Sequence, residues 1–154
     1  PDNVEVTTAC AVQMLNMYYL PDFIKWKLSK NYKKINPWPL GAGLINYHFV
    51  YHPANLNIKV FPKWMKEKVE KKYEEFYIWL KENYRDDRDF LENSYGIKRL
   101  QGMVKFMNSE DWSQRMPQFI EYITKMDKIR GTSFKDTFPE MAALLDDQTP
   151  EVSV

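Results

Sequence analysis

The sequence predicts an α/β fold in which a few-stranded, mainly parallel sheet is followed by a mostly helical C-terminal half. Two observations lead to this prediction. In the first part of the chain, two stretches that alternate in hydrophobicity flank a stretch with helical spacing, which is typical of a strand–helix–strand unit. From Lys63 onward, apolar side chains recur every three or four positions, as they do in amphipathic helices. The 154 residues therefore divide into a sheet-forming segment 1–62, a helical segment 63–145 packed on it, and a flexible tail 146–154.

The composition indicates one ordered domain with almost no net charge. Hydrophobic residues make up 44% and aromatic residues 16% of the chain, which argues against disorder. The 22 basic and 21 acidic side chains nearly cancel, so the charge gives no reason to expect a nucleic-acid partner. No apolar run reaches the ~18 residues that span a bilayer, and we recognise no export leader. The single cysteine excludes an internal disulfide, so we expect a cytoplasmic protein. Because no bilayer-spanning run is found, we expect no membrane partner.

The sheet-forming segment predicts two strands joined by a helix. Residues 4–13 are rich in β-branched side chains and alternate in polarity, as a pleated surface prefers. Residues 16–20 predict a turn, and Pro21 suits the first turn of a helix because its missing N–H needs no partner there. A strand followed by a helix and a second strand favours a right-handed parallel crossover.

The second strand follows a loop that is rich in proline and glycine. Residues 31–43 predict that loop, and residues 44–52 alternate cleanly enough to predict a strand. The alternation places Asn46, His48 and His52 on one face of this strand. Residues 56–60 predict a short further extended segment that ends at Pro62.

The helical segment predicts three longer helices and a short last one. Their expected ranges are about 63–84, 96–107, 111–129 and a short helix after residue 137. The polar side of the first of them, which includes Lys66, predicts a solvated face. Gly131 predicts a helix C-cap. Thr137 and Glu140 have the spacing of a capping box that opens the last helix.

The two histidines were weighed as metal ligands and as cavity-lining side chains. His48 and His52 are four residues apart, but on a strand that spacing separates them by ~13 Å, which is too far for one metal ion. A hydrogen-bonded polar role is the simpler interpretation of both. The alternative is that the Asn46, His48 and His52 face lines a cavity and contacts a cofactor or substrate.

Three further motifs favour structural roles over chemistry. Cys10 lies in an apolar run, which predicts a buried, inert thiol. The glycines at 41 and 43 precede a strand, whereas a dinucleotide-binding loop follows one, so this stretch predicts a flexible connector. Asp127 and Arg130, three apart at a helix end, predict an ion pair or a cap that fixes the turn at Gly131. We find no arrangement that identifies catalytic residues.

The C-terminal sequence carries a resemblance to a known family. Residues 124–134 read Thr-Lys-Met-Asp-Lys-Ile-Arg-Gly-Thr-Ser-Phe, and Phe138-Pro139-Glu140 follows. This resembles the end of twitch-type radical S-adenosylmethionine (SAM) proteins of bacteria and phages, in which a pattern close to Thr-x-x-(Leu/Met)-Asp-x-x-Arg-Gly-x-x-Phe and then Phe-Pro-Glu closes the chain. Residues 4–23 resemble a late barrel strand of that family with its following helix, and residues 44–62 resemble the next strand with its continuation. Residues 63–123 match in pattern only.

The resemblance implies a partial (β/α) barrel of which this chain forms the C-terminal part. The family uses a [4Fe–4S] cluster on Cys-x3-Cys-x2-Cys to cleave SAM to a radical that takes hydrogen from a substrate. This sequence has Cys10 alone, so the resemblance implies no cofactor in this chain and places SAM and the [4Fe–4S] cluster in a suspected parent enzyme. The polar ends of late barrel strands face cofactor or substrate in this family, which implies Asn16, His48 and His52 as candidate cofactor-binding residues.

Two functional hypotheses follow. In the first, the chain is the C-terminal fragment of a radical SAM-type enzyme that shapes the substrate side of the barrel and is inactive alone. Its partner would be the missing N-terminal part, or a second copy joined through an exposed sheet edge. Because Pro1 is not an initiator methionine, this hypothesis expects a truncated or trimmed chain. In the second, the chain is a complete small α/β module that binds a ligand or a protein without catalysis.

Overall fold

The parallel strand pair expected from the sequence is present. The computed structural model describes residues 6, 8–30, 45–83 and 95–146. Strand β1 (Ala9–Val12) pairs in parallel with strand β2 (Asn46–Phe49), with Ala9 opposite Asn46 and Val12 opposite Phe49. Helix α1 (Leu20–Ser29) lies between them in the chain, as expected of a crossover between parallel strands. The described part of the chain is mostly helical with this small parallel sheet, which confirms the α/β class.

The described sheet is smaller than the alternation predicted. β1 and β2 each have four residues, where the sequence predicted strands over 4–13 and 44–52. Val6 forms an isolated bridge, and residues 1–5 and 7 lie outside the described residues. The chain leaves the sheet after Val12 because it turns through residues 13–16 into a 3-10 turn and α1. Pro21 occupies the first turn of α1, as expected.

The helical half is as long as its periodicity predicted. It comprises α2 (Lys63–Asn83), α3 (Tyr95–Met107), α4 (Met116–Arg130), α5 (Phe134–Thr137) and α6 (Pro139–Asp146). The third predicted helix, 111–129, is divided into the 3-10 turn Ser113–Arg115 and α4. Gly131 ends α4 with a left-handed φ of 65°, a conformation that glycine adopts without a steric penalty. The predicted loop 31–43 and all but the first residue of the predicted tail lie outside the described residues.

The prediction of an extended segment at residues 56–60 is wrong. Two 3-10 turns, Ala54–Leu56 and Ile58–Val60, occupy this stretch. The Asn57 side chain explains the difference, since its Oδ1 accepts from the backbone N of Lys59 at 3.0 Å and its Nδ2 donates to the carbonyl of Val50 at 3.0 Å. Asparagine side chains that bond to nearby backbone groups favour turns over strands, even where apolar residues alternate.

The prediction of a capping box at Thr137 is also wrong. Thr137 is the last residue of α5, and its hydroxyl donates to the carbonyl of Ser133 at 2.8 Å. The cap lies one short helix earlier, where the Ser133 Oγ accepts from the backbone N of Asp136 at 3.1 Å. Serine and threonine both suit this role, so the motif alone could not decide between the two positions.

A continuous core connects the sheet with the helices. Its fully buried large side chains come from the β1–α1 connection, α1, the 3-10 turns and the residue after them, α2, α3 and α4. Tyr73 of α2 is 1% exposed, and its hydroxyl donates to the carbonyl of Met17 at 3.1 Å. This hydrogen bond anchors the segment that follows β1 to the centre of the longest described helix.

Candidate functional site

One face of the two-stranded sheet is packed against helices. Cys10, Val12, Tyr47 and Phe49 lie on this face by the register of the strands. Phe49 stacks on Phe106 of α3 with ring centroids 4.0 Å apart. The Tyr47 hydroxyl donates to the carbonyl of Arg99, also in α3, at 3.1 Å. Aromatic packing and a hydrogen bond therefore fix α3 on this side of the sheet.

The opposite face, which we call the open face, carries small and polar side chains. It consists of Ala9, Ala11, Asn46 and His48. Ala9, Ala11 and His48 are exposed, and Asn46 is half-buried. The Arg99 guanidinium donates to Asn46 Oδ1 at 3.2 Å, so one arginine of α3 contacts this face as well. A parallel sheet is normally covered on both faces, so an exposed face on a parallel pair is unusual.

Asn16 is committed to the turn that follows β1. Its Nδ2 donates to the carbonyl of Ala11 at 2.9 Å and to the Cys10 Sγ at 3.7 Å, while its Oδ1 accepts from the backbone N of Gln13 at 2.9 Å. These bonds hold the chain where it leaves the sheet. They leave Asn16 little capacity for a ligand, so its main role in the described structure is conformational.

The two histidines do not share one strand, contrary to the prediction. β2 ends at Phe49, so His48 lies on the open face while His52 lies in the bend beyond the strand. Both are exposed. Within the described residues, no group of three or more His, Cys, Asp or Glu side chains is close enough to hold a metal ion.

The Cys10 thiol shows no sign of activation. It lies on the helix-covered face and is half-buried. Burial raises the pKa of the Cys10 thiol above its usual range, which disfavours the nucleophilic thiolate. Cys10 is thus less buried than the sequence predicted, and its raised pKa gives no support to a nucleophilic role.

Asp127 fixes the turn after α4, as the cap interpretation predicted. Its Oδ2 accepts from the backbone N of Phe134 at 2.7 Å, and its Oδ1 accepts from the Thr132 hydroxyl at 3.1 Å. Its backbone carbonyl accepts from the N–H groups of Gly131 and Thr132. The Asp–x–x–Arg–Gly sequence thus builds a turn that brings α5 back against the end of α4.

A small, partly open pocket lies beside this turn, and we call it the tail pocket. Its volume is about 220 Å³, and most of its lining is apolar. Its lining residues are Leu15, Tyr122, Ile123, Met126, Asp127, Arg130, Thr132, Phe134, Thr137 and Phe138. Leu15 lies three residues beyond the last residue of β1, so the pocket adjoins the carboxyl end of that strand. Asn16, His48 and His52 are not among its lining residues.

The Lys59 side chain is surrounded by an acidic and two aromatic side chains. We call this group the Lys59 cluster: Lys59, Phe106, Glu110 and Trp112. The Lys59 ammonium forms an ion pair with Glu110 and lies 4.5 Å and 5.2 Å from the ring centroids of Phe106 and Trp112. The Trp112 indole donates to the second oxygen of Glu110 at 2.9 Å. The hydrogen bond with Lys59 lowers the pKa of the Glu110 carboxyl. The cluster ties the 3-10 turns to the α3–α4 connection.

The prediction that Lys66 lies on a solvated helix face is wrong. Lys66 is buried, and its ammonium donates to the carbonyl of Glu110 at 2.8 Å. Burial lowers the pKa of Lys66. An open cleft of about 520 Å³ lies beside it, with Glu67, Glu70 and Asp111 among its walls. Sequence reasoning missed this side chain because its partner is distant in the chain and is a backbone carbonyl.

Comparison with protein-family models, with curated proteins and with solved structures finds no match. No helix among the described residues is both long and apolar enough to cross a membrane.

Proposed function

We propose that the chain is the C-terminal part of a radical SAM-type enzyme of the twitch class. In this proposal it supplies late strands of a partial (β/α) barrel and shapes the substrate side, and it is inactive by itself. The open face is the single observation that supports the proposal best. The resemblance of residues 124–134 to the end of that family is the second support.

The difference between the two faces of the sheet supports the barrel proposal. In (β/α) barrels, helices cover the outside of the parallel strands, and the inward side chains meet those of the other strands. Here α3 covers the face of Tyr47 and Phe49, and the opposite face is exposed. Small side chains such as Ala9 and Ala11 leave room for a neighbouring layer or a ligand.

The cluster of such an enzyme does not fit this chain. Three cysteines hold a [4Fe–4S] cluster in this family, and the sequence has only Cys10, whose thiol is half-buried and has a raised pKa. The cluster, and SAM with it, would therefore belong to the preceding part of the enzyme. We assign no residue of this chain to cluster chemistry.

The roles of the three candidate residues differ within the proposal. Substrate sites in parallel barrels lie at the carboxyl ends of the strands. His48 lies on the open face, and His52 follows the carboxyl end of β2. These positions support the proposal that both histidines contact a substrate or cofactor. Asn16 would act indirectly, by holding the turn after β1 through its bonds to Ala11 and Gln13.

The proposed partner of the open face is the preceding barrel segment. Without it, the two-stranded sheet would have an edge available for pairing, so a second copy of this chain is the alternative partner. Analytical sedimentation of the isolated chain measures its oligomeric state and so distinguishes these two partners. A strand-paired dimer would support self-association, and a monomer that binds the separately expressed preceding segment would support the barrel.

The first test expresses the full reading frame that encodes this chain and assays the protein translated from it. We expect the protein translated from it, purified without oxygen, to contain iron and sulfide and to cleave SAM reductively. His48→Ala in that protein should reduce turnover while the iron content stays unchanged. Loss of iron together with turnover would mean that the substitution disturbs folding.

A packing test addresses the open face directly. Ala11→Trp should abolish SAM cleavage by the full-length protein, because the ring would fill space inside the barrel. Ala143→Trp, on an exposed position of α6, is the matched control and should leave turnover within about twofold. Equal activity of both variants, or a reading frame without a cysteine triad, would contradict the barrel. The alternative, a small α/β binding module without catalysis, would then take its place.

A further inference from the structure

We infer that the tail pocket binds a free α-amino acid with an apolar side chain. In this arrangement the side chain enters the pocket, the carboxylate meets Arg130 and the ammonium meets Asp127. The inference does not depend on the barrel proposal, because every residue in it belongs to the β1–α1 connection, α4 and the segment after α4.

Arg130 supplies an unused positive charge. It lines the pocket, it is exposed, and the described structure gives its guanidinium no hydrogen bond or ion pair. By contrast, the long cations Lys59 and Lys72 are both paired with carboxylates. An arginine fork binds a carboxylate through two parallel hydrogen bonds, so a ligand carboxylate is the group that suits it.

Asp127 supplies the negative charge on the same helix end. Each of its oxygens already accepts one hydrogen bond, from Thr132 and from the backbone of Phe134, and this fixes the orientation of the carboxylate. A carboxylate offers about four acceptor positions, so capacity remains for an ammonium group. The C-terminal end of α4 also favours a cation, because the helix dipole is negative there.

The charges of the pocket select the type of ligand. Among the residues that the structure describes, one acidic and one basic side chain line the pocket. A purely anionic ligand would therefore meet repulsion from Asp127, and a purely cationic ligand would meet repulsion from Arg130. A zwitterion with both groups on one carbon matches two charged side chains that are three residues apart on a helix and therefore neighbours on its surface.

The size and polarity of the pocket select the side chain. A volume of about 220 Å³ is below the ~300–1,000 Å³ of pockets for drug-sized ligands, which suits a group the size of leucine or phenylalanine. Met126, Phe134 and Phe138 provide an apolar and aromatic lining for it. The position beside the carboxyl end of β1 agrees with the usual location of ligands in parallel α/β folds.

The test uses L-phenylalanine and two probes that each lack one of its charged groups. L-phenylalanine carries both charges, 3-phenylpropionate lacks the ammonium, and phenethylamine lacks the carboxylate. Titration followed by amide NMR should give a dissociation constant below about 1 mM for L-phenylalanine, with shifts at Thr132 and Phe134 and none at Lys71 in α2. Each of the other two probes should bind about tenfold more weakly.

Matched charge variants identify the residue responsible. Arg130→Gln should weaken L-phenylalanine binding about tenfold or more, because a hydrogen-bonded charge pair is lost. Lys128→Gln removes the same charge from an exposed position of the same helix end that does not line the pocket, and it should change binding less than about twofold. Thermal unfolding of both variants verifies that the fold is kept.

Three outcomes would overturn the inference. They are no binding of L-phenylalanine to the wild-type chain at about 10 mM, equal binding of all three probes, and equal weakening by the two variants. The barrel proposal fails on different evidence, namely iron content and SAM cleavage, so each idea can fail without the other.

Discussion

The Lys59 cluster and the tail pocket use similar side chains to opposite effect. Each combines a basic group, aromatic rings and a carboxylate, and each lies where distant parts of the chain meet. In the Lys59 cluster, the ammonium is paired with Glu110 and covered by two rings, and the Lys59 side chain is 9% exposed. In the tail pocket, Arg130 has no partner among the described residues, and about 220 Å³ remains empty beside it.

The two regions differ in how much hydrogen-bonding capacity their cation leaves unused. A cation that is already paired and packed contributes to folding and has nothing to offer a ligand. A cation with no partner, beside an apolar cavity, contributes little to folding and remains available for binding. Composition alone therefore marks neither region as a site. A charged side chain with unused hydrogen-bonding capacity beside a cavity is what indicates a binding site.

The largest expected effect lies at Phe106, which connects the Lys59 cluster with the sheet. Phe106→Ala removes the ring that stacks on Phe49 and covers the Lys59 ammonium. We expect the free energy of unfolding to fall by about 3 kcal/mol, or roughly 6–12 °C in Tm. Ile129→Ala, at a position that is 73% exposed, is the control and should stay within about 0.5 kcal/mol. Urea unfolding measures both, and similar losses would mean that the cluster is not a packed unit.

The next effect separates the packing of Lys59 from its charge. Lys59→Ala removes both and should cost about 2 kcal/mol, because the buried stem leaves a cavity. Lys59→Met keeps most of the stem and loses the ion pair, which should cost less than about 1 kcal/mol because Glu110 is more than half exposed. Equal losses in the two variants would assign the stability to the charge, and the interpretation of a packed cluster would be wrong.

A third effect compares the turn of the tail pocket with α3. Gly131→Ala places a side chain at a φ of 65° and should cost about 1 kcal/mol. Gly102→Ala lies inside α3, where the added carbon would lie 3.6 Å from the Tyr47 hydroxyl, an ordinary contact. This variant should gain about 0.5–1 kcal/mol, because alanine favours helix interiors. Opposite signs in thermal unfolding are the expected result, and a stabilising Gly131→Ala would contradict the turn geometry.

The helices could be predicted from the sequence because their signal is local. The periodicity predicted a helix at 63–84, and α2 spans Lys63–Asn83. Gly131 and Pro21 were assigned correctly for the same reason, since a cap or a first turn depends on neighbours a few residues away. The extended prediction for residues 56–60 failed where a side chain, that of Asn57, competes with the strand pattern.

The candidate site could be predicted only in part, because its contacts are distant in sequence. The Asp–x–x–Arg–Gly sequence at residues 127–131 gave the correct role for Asp127, whose bonds reach no further than Phe134. Nothing in that sequence indicates that Leu15, from the other end of the chain, lines the pocket. The burial of Lys59 and Lys66 was missed in the same way, since both bond to Glu110 from more than forty positions away.

The smallest expected effect concerns Tyr77 and tests whether an unsatisfied group alone marks a site. Its hydroxyl is buried and has no hydrogen-bond partner within the described part of the chain, whereas the Tyr73 hydroxyl donates to the carbonyl of Met17. Near pH 8, Tyr77→Phe should therefore change the free energy of unfolding by less than about 0.5 kcal/mol, and Tyr73→Phe should cost about 1 kcal/mol. Burial raises the pKa of Tyr77 above its ordinary value of 10.0.

The pH dependence has a definite sign. Because the pKa of Tyr77 is higher in the folded chain than in the unfolded chain, its contribution is fully present below about pH 10 and is lost as the pH rises through the folded-state value. The wild type should lose about 1 kcal/mol through this group between about pH 10 and 11. Tyr77→Phe lacks that loss, so urea unfolding should find it more stable than the wild type at pH 11 and equal to it at pH 8. A cost above about 1 kcal/mol at pH 8 would instead mean that the hydroxyl has a partner, and Tyr77 would join Arg130 as a group to be probed with ligands.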